Sequence, residues 1–184
     1  MIKTDISKKT KIYKYFKNVR FVFHLAALAN FEQSIKYPKK FFKANVIGTS
    51  NVLQAAKRAK VKKFIYAGSA SFYGIPKKFP TSEKAKISLL HPYAVTKWQA
   101  EELIMRFYKI YNFPAISLRF FNVYGPRLNT LDGYKSVFGI FLSQKLSSKP
   151  LTIVGDGNQT RDFIHAKDVA AAMLKSALSK KVGK

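Results

Sequence analysis

Arg20 to Ala27, RFVFHLAA, runs through aromatic and β-branched residues with almost no polar break. That pattern predicts a central strand of a parallel sheet, because such strands are buried on both faces and need not alternate. Lys63 to Ala67 and Ala115 to Phe120 read the same way. The segments between them change to a helical period. Phe42, Val46, Thr49, Leu53 and Ala56 recur at steps of four and three, in a helix that starts near Pro38 and ends near the basic Lys57, Arg58 and Lys60. Pro92 or Tyr93 to Tyr111 forms a second helix that buries Leu103, Phe107 and Ile110. Strand, helix and strand in alternation predict an α/β fold with a parallel sheet.

The flanks are less regular. The opening to Asn18 reads as a short helix or a loop, and Pro76 and Pro80 mark a loop after the second strand. Leu128 to Gly133 reads as a polar loop, Ser136 to Leu146 as a helix and Lys149 to Val154 as a short strand. Gly155 and Gly157 frame a turn. Asp168 is placed to cap a closing helix that carries Val169, Ala172, Met173 and Leu178.

Tyr93 and Lys97 stand four residues apart and share one helix face, so the ammonium can influence the phenol. A neighbouring cation favours a phenolate and lowers a pKa that starts near 10. Ser69 follows the second strand and offers a hydroxyl to the same relay. Gly68, Ser69, Ala70 and Ser71 are small, which lets a flat ligand approach the backbone. Arg161 after a tight polar turn suits a bidentate grip on a diphosphate.

Composition narrows the partners. The net charge of +25 comes from 34 lysines and arginines against 9 acids. The lysines are scattered singly and in pairs through every segment, which favours a solvated basic face and an anionic substrate over nucleic acid. With no cysteine, disulfides and thiol chemistry drop out. His24, His91 and His165 lie far apart in sequence, so zinc is not expected. No apolar run reaches membrane-spanning length and the opening residues are polar, so a cytoplasmic, membrane-free product is expected.

From about Asp5 to about Leu178 the chain resembles the extended short-chain dehydrogenase/reductase family, within it the NAD-dependent nucleotide-sugar epimerases and dehydratases, with the UDP-glucose 4-epimerases nearest. FIYAGSASFYG, HPYAVTKWQAEE, RFFNVYGPR and GDGNQTRDF carry the likeness. It implies a Rossmann-like doubly wound sheet, NAD as cofactor, a UDP-sugar or other nucleotide-sugar substrate and Ser69, Tyr93 and Lys97 as the catalytic trio. It implies that Ala26 and Ala27 end a strand beside the cofactor, supported by Asn45, and that Lys97 contacts the nicotinamide ribose. Asn122 and Arg161 then hold the substrate diphosphate, and the Tyr93 helix joins subunits in a homodimer. The implied chemistry is reversible oxidation at C4 of the sugar.

Two features depart from the family pattern. Ala67 and Gly68 stand where many relatives carry serines, and no glycine-rich dinucleotide turn occurs. The second departure leads to the expectation of a chain truncated at both ends, with an incomplete sheet and doubtful NAD binding. Residues 1–127 would be a partial cofactor domain and residues 128–184 a partial substrate region with a returning helix. A 4,6-dehydratase is the alternative within the family, although those relatives carry an acidic pair where this chain has Ala70 and Ser71. An inert basic fragment binding RNA or a partner chain is the alternative of another class.

Overall fold

A computed structural model of the chain describes residues 1–8, 12–127 and 136–184. The apolar runs form strands β1 (Phe21–His24), β2 (Lys63–Ser69) and β3 (Ala115–Phe120). They make a parallel sheet in the order β1-β2-β3, with Phe21 opposite Lys63 and Phe64 opposite Ala115. Every residue of β2 is buried, so the central strand among the described residues is the second apolar run. The first is shorter than its apolar character predicts: β1 stops at His24, and Leu25, Ala26 and Ala27 emerge exposed at its carboxyl end.

Helices α1 (Phe31–Lys36), α2 (Pro38–Phe42) and α3 (Gly48–Arg58) connect β1 to β2, and α4 (Pro92–Tyr111) connects β2 to β3. Beyond β3 come strand β4 (Asn122–Tyr124), helix α5 (Val137–Leu146), strand β5 (Phe163–His165) and helix α6 (Ala166–Leu178). Strands β4 and β5 pair in parallel as a second, two-stranded sheet. The sequence pattern had not separated this pair. The proposed loop at Leu128 to Gly133 falls outside the described residues.

Alternation along β2 builds two cores. Phe64 and Tyr66 pack with Val52, Leu53 and Ala56 of α3 and with Ala100 and Ile104 of α4. Ile65 points the other way, to Val169, Met173 and Ala177 of α6. On that second face Lys63 sends its ammonium to the carbonyls of Ser176 (3.3 Å), Lys181 (3.1 Å) and Ser179, where it meets the negative end of α6. The outer edge of β3 is occupied as well: Gly183 N donates to Ala115 O at 2.8 Å and Ser117 N to Lys184 O at 2.7 Å. Helices thus cover both faces of the sheet, which corrects the expectation of an unfinished one.

Four local expectations change. Residues 38–58 are continuous, but Lys43–Ile47 is a π-helical turn. The wider turn keeps Phe41 and Asn45 inward, while Phe42 is 43% exposed. On α4, Ile110 is 69% exposed, and Ala94, Ala100 and Ile104 are the apolar residues fully buried. Lys149–Val154 forms no strand: the Gln144 side chain serves Thr152 in place of a ladder, with Nε2 to Oγ1 at 2.6 Å and Oε1 accepting from the backbone N–H at 3.2 Å. Finally, His165 caps α6, its Nδ1 accepting from Lys167 N, and Asp168 sits in the first turn.

Candidate active site

The small residues at the end of β2 and the first turns of α4 meet at the carboxyl edge of the main sheet. His91 starts α4 with an imidazole cap, Nδ1 accepting from Ala94 N at 3.2 Å, and Pro92 follows in the first turn, where a missing N–H does no harm. Tyr93 comes next, its ring parallel to that of His91 at 5.9 Å. Lys97, one turn on, is only 3% exposed. Its ammonium donates to Ala67 O at 2.5 Å and lies 4.1 Å from the centre of the Tyr66 ring. Burial pushes the Lys97 pKa from 10.5 to about 7, although the Glu101 carboxylate works in the opposite direction. Ser69, at the end of β2, accepts from Ser71 N at 3.2 Å and lies 2.8 Å from the Ser71 hydroxyl.

Asn45 organises the neighbouring strand end. Its amide clamps the Leu28 backbone, Oδ1 accepting from the N–H at 2.8 Å and Nδ2 donating to the carbonyl at 3.0 Å. Nδ2 also reaches Thr96 Oγ1 at 3.1 Å, and that hydroxyl donates to Tyr93 O at 3.0 Å. A chain of bonds therefore links the segment after β1 to the turn of α4 that carries Tyr93. His24 lies below it. Thr49 gives its hydrogen to Asn45 O (2.6 Å), so His24 Nε2 must be the donor in its 2.8 Å contact with Thr49 Oγ1. Burial, with the Lys97 charge second, lowers the His24 pKa to about 3 and keeps the ring neutral.

The second sheet ties Asn122 to Asp162, the chain neighbour of Arg161. Phe120 is the register partner of Ser69, so Asn122 follows just beyond the level of Ser69. Its backbone N–H and Nδ2 both donate to Asp162 O, at 3.1 and 2.9 Å. Arg161 is exposed and donates to Thr160 O at 2.7 Å.

Sequence reasoning missed the ion pair under this edge. Glu101, 4% exposed, accepts from Ser117 Oγ at 2.5 Å and from Arg119 Nε and Nη2 at 2.9 and 2.6 Å. Its spacing was the available signal, since Glu101 lies four residues beyond Lys97 on the same helix face. The glycine at position 68 also acquires a reason. A Cβ there would stand 2.7 Å from Ser117 Oγ and 3.0 Å from Glu101 Oε2, so this carboxylate occupies the space that a side chain would need.

The implied cofactor is NAD, and the residues present fit its reactive end. Ala26 and Ala27 are exposed, small, and leave the end of β1 open to a flat ring, while Lys97 brings its ammonium to the Ala67 carbonyl of the adjoining strand. Among the described residues no group of three or more His, Asp or Glu comes together as a metal site. Nor is any described helix long and apolar enough to cross a membrane.

Comparison with known proteins agrees with this geometry. A model of the NAD dependent epimerase/dehydratase family matches residues 1–184. The UDP-glucose 4-epimerase of Mycolicibacterium smegmatis is 33% identical over 156 residues, which is 84% of this chain and 50% of that protein. Among solved structures, the UDP-N-acetylglucosamine 4-epimerase of Methanobrevibacter ruminantium, in complex with UDP-N-acetylmuramic acid, superposes with a TM-score of 0.94 at 34% identity. The superposition covers 98% of this chain and 58% of that one. The UDP-glucuronic acid 4-epimerase of Bacillus cereus, with UDP-glucuronic acid and NAD, gives 0.87 at 35% identity, covering 98% and 56%. The family model matches every residue, which corrects the expectation that the likeness runs only from about Asp5 to about Leu178. The chain spans about half the length of the curated relatives it matches.

Proposed function

The chain belongs to the NAD dependent epimerase/dehydratase family, and from that premise we propose that it acts in the 4-epimerisation of a UDP-sugar. The observation that carries this reading is the buried Lys97 ammonium, one helical turn beyond Tyr93 and 2.5 Å from Ala67 O, two residues before Ser69. Bound NAD supplies a hydride acceptor and donor. Tyr93 takes the proton of the C4 hydroxyl, Ser69 holds the same oxygen by a hydrogen bond, and Lys97 supplies positive charge beside both. Asn122 and Arg161 grip the diphosphate, and Asn45 steadies the segment that contains Ala26 and Ala27. In this reading residues 1–127 carry the cofactor and catalytic groups, and residues 128–184 carry the substrate side and the returning helix.

Epimerisation is favoured over 4,6-dehydration because elimination of water across C5 and C6 needs an acid and a base beside the hydroxyl. Ala70 and Ser71, which follow Ser69, offer no group that titrates near neutrality. Incubation with UDP-glucose, UDP-N-acetylglucosamine, UDP-glucuronic acid and dTDP-glucose tests this. The expected products differ from the substrates at C4 alone, and accumulation of a 4-keto-6-deoxy sugar would overturn the assignment. Tyr93→Phe is expected to lower kcat by about 10²-fold or more, whereas Arg161→Ala acts on KM, because the diphosphate contact is made in ground and transition states alike.

The same reading includes a homodimer built on α2 and α4. Pro38, Phe42, Leu90, Val95 and Gln99 line an open groove of about 570 Å³ there. Light scattering at the mass of one chain would remove this part of the proposal. The nucleotide-sugar substrate class of this reading supports a cytoplasmic reaction.

A further inference from the structure

Residues 75–90, between the turn after Ser69 and the start of α4, contain no regular helix or strand. They nevertheless meet the core at defined points. Ser88 N donates to Phe72 O at 2.8 Å. The carbonyl of Glu83 accepts from Arg119 Nη1 at 3.2 Å and lies 3.5 Å from the Tyr73 hydroxyl. Arg119 Nη1 also donates to that hydroxyl at 2.7 Å. The remaining guanidinium nitrogens are taken by Glu101 of α4, the helix that carries Tyr93 and Lys97. One side chain from β3 therefore touches the catalytic helix, the turn after Ser69 and the loop.

We propose that Arg119 is a positioning residue that fastens the 75–90 loop across the carboxyl edge of the sheet, with the Tyr73 hydroxyl as its latch. Several observations converge on this role. The Arg119 side chain is 26% exposed and its Glu101 partner 6%, so the pair is poorly screened and fixed in direction. The guanidinium carbon lies 5.5 and 5.4 Å from the centres of the Phe72 and Tyr73 rings, which hold its plane. Although burial disfavours its charge, bonds to Glu101 and Tyr73 raise the Arg119 pKa above its ordinary value, so the guanidinium stays charged at any pH at which the chain is folded. The loop itself carries Lys77, Lys78, Lys84 and Lys86. Held at this edge, those ammoniums add to the attraction for an anionic sugar nucleotide. The effect on substrate rests on the epimerase reading, while the effect on the loop does not.

The lysines make the loop its own reporter, because trypsin cuts after each of them once the segment opens. Tyr73→Phe removes one hydroxyl and leaves the ring in place. It should raise the rate of tryptic cleavage at Lys77 to Lys86 by about tenfold, the population change expected for one lost charge-assisted hydrogen bond. The melting temperature should fall by no more than a few degrees, and KM for UDP-glucose should rise while kcat stays within about twofold. Arg119→Lys keeps the charge but not the reach to Glu101 and Tyr73 together, so it should open the loop as well. Glu83→Gln is the control, since the contact is to a backbone carbonyl, and its cleavage should match the parent protein. Loop cleavage unchanged in Tyr73→Phe, or raised equally throughout the chain, would overturn the latch. A parent protein that turns over no UDP-sugar would defeat the epimerase reading, while the cleavage comparison would still decide the role of Arg119.

Discussion

His24 at the end of β1 and Lys97 on α4 are both buried, and burial pushes both toward their neutral forms. For His24 the unfolded chain takes up a proton below pH of about 6.5 that the folded chain refuses down to about 3, so stability is intact above 6.5 and falls as the pH drops. The expected slope is about 1.4 kcal/mol per pH unit. Urea unfolding at pH 7.5, 6 and 5 should show it, and His24→Gln should flatten it. Lys97 works the same way over a higher window. The folded state resists its charge between pH 10.5 and about 7, so Lys97→Met should gain melting temperature over the parent as the pH falls through that range. The same variant should lose activity by about 10²-fold or more. A parallel loss of stability and activity would show that the bond to Ala67 O outweighs the desolvation of the ammonium.

At the scale of elements, the π-helical turn at Lys43–Ile47 does the most to shape the site. Without the extra residue, Asn45 would rotate off the inward face, and the Leu28 clamp and the Thr96 contact would part. Asn45→Ala keeps the helix but leaves the Leu28 N–H, 2.8 Å from Oδ1 in the parent, without its acceptor. The expected cost is about 1–3 kcal/mol, read by chemical denaturation, with faster hydrogen exchange at the Leu28 amide. At β2, Gly68→Ser should destabilise through contact with Ser117 Oγ and Glu101 Oε2. A variant as stable as the parent would mean that Glu101 can move aside, and with it the anchor of Arg119.

At the scale of the whole molecule, the charge of +25 acts on association more than on the fold. An anionic sugar nucleotide is drawn to such a surface, so kcat/KM should fall several-fold between about 0.05 and 0.5 M salt, with kcat little changed. If RNA of mixed sequence inhibits only at low salt, and not at about 0.15 M, the basic surface is a solvated face and not a nucleic-acid site.

Periodicity alone was enough for the parallel α/β alternation and the limits of α4, because each shows in the apolar pattern of the segment itself. Spacing likewise put Ser69 at a strand end. What lay beyond it depended on residues far apart in the chain. Asn45 is buried because α2 and α3 are joined through a wide turn, and Glu101 is buried because Arg119 and Ser117 of β3 satisfy it. The apolar run at Lys149–Val154 had the composition of a strand and found a side chain, Gln144, where a neighbouring strand was expected. The missing glycine-rich turn suggested an unfinished sheet, but strand composition says nothing of how helices close over a sheet, and here α3, α4 and α6 cover both faces. Local sequence encodes which face of a helix or strand is apolar. Only the tertiary structure decides which buried polar groups find partners, since a hydrogen bond across 30 or 50 residues has no local signature.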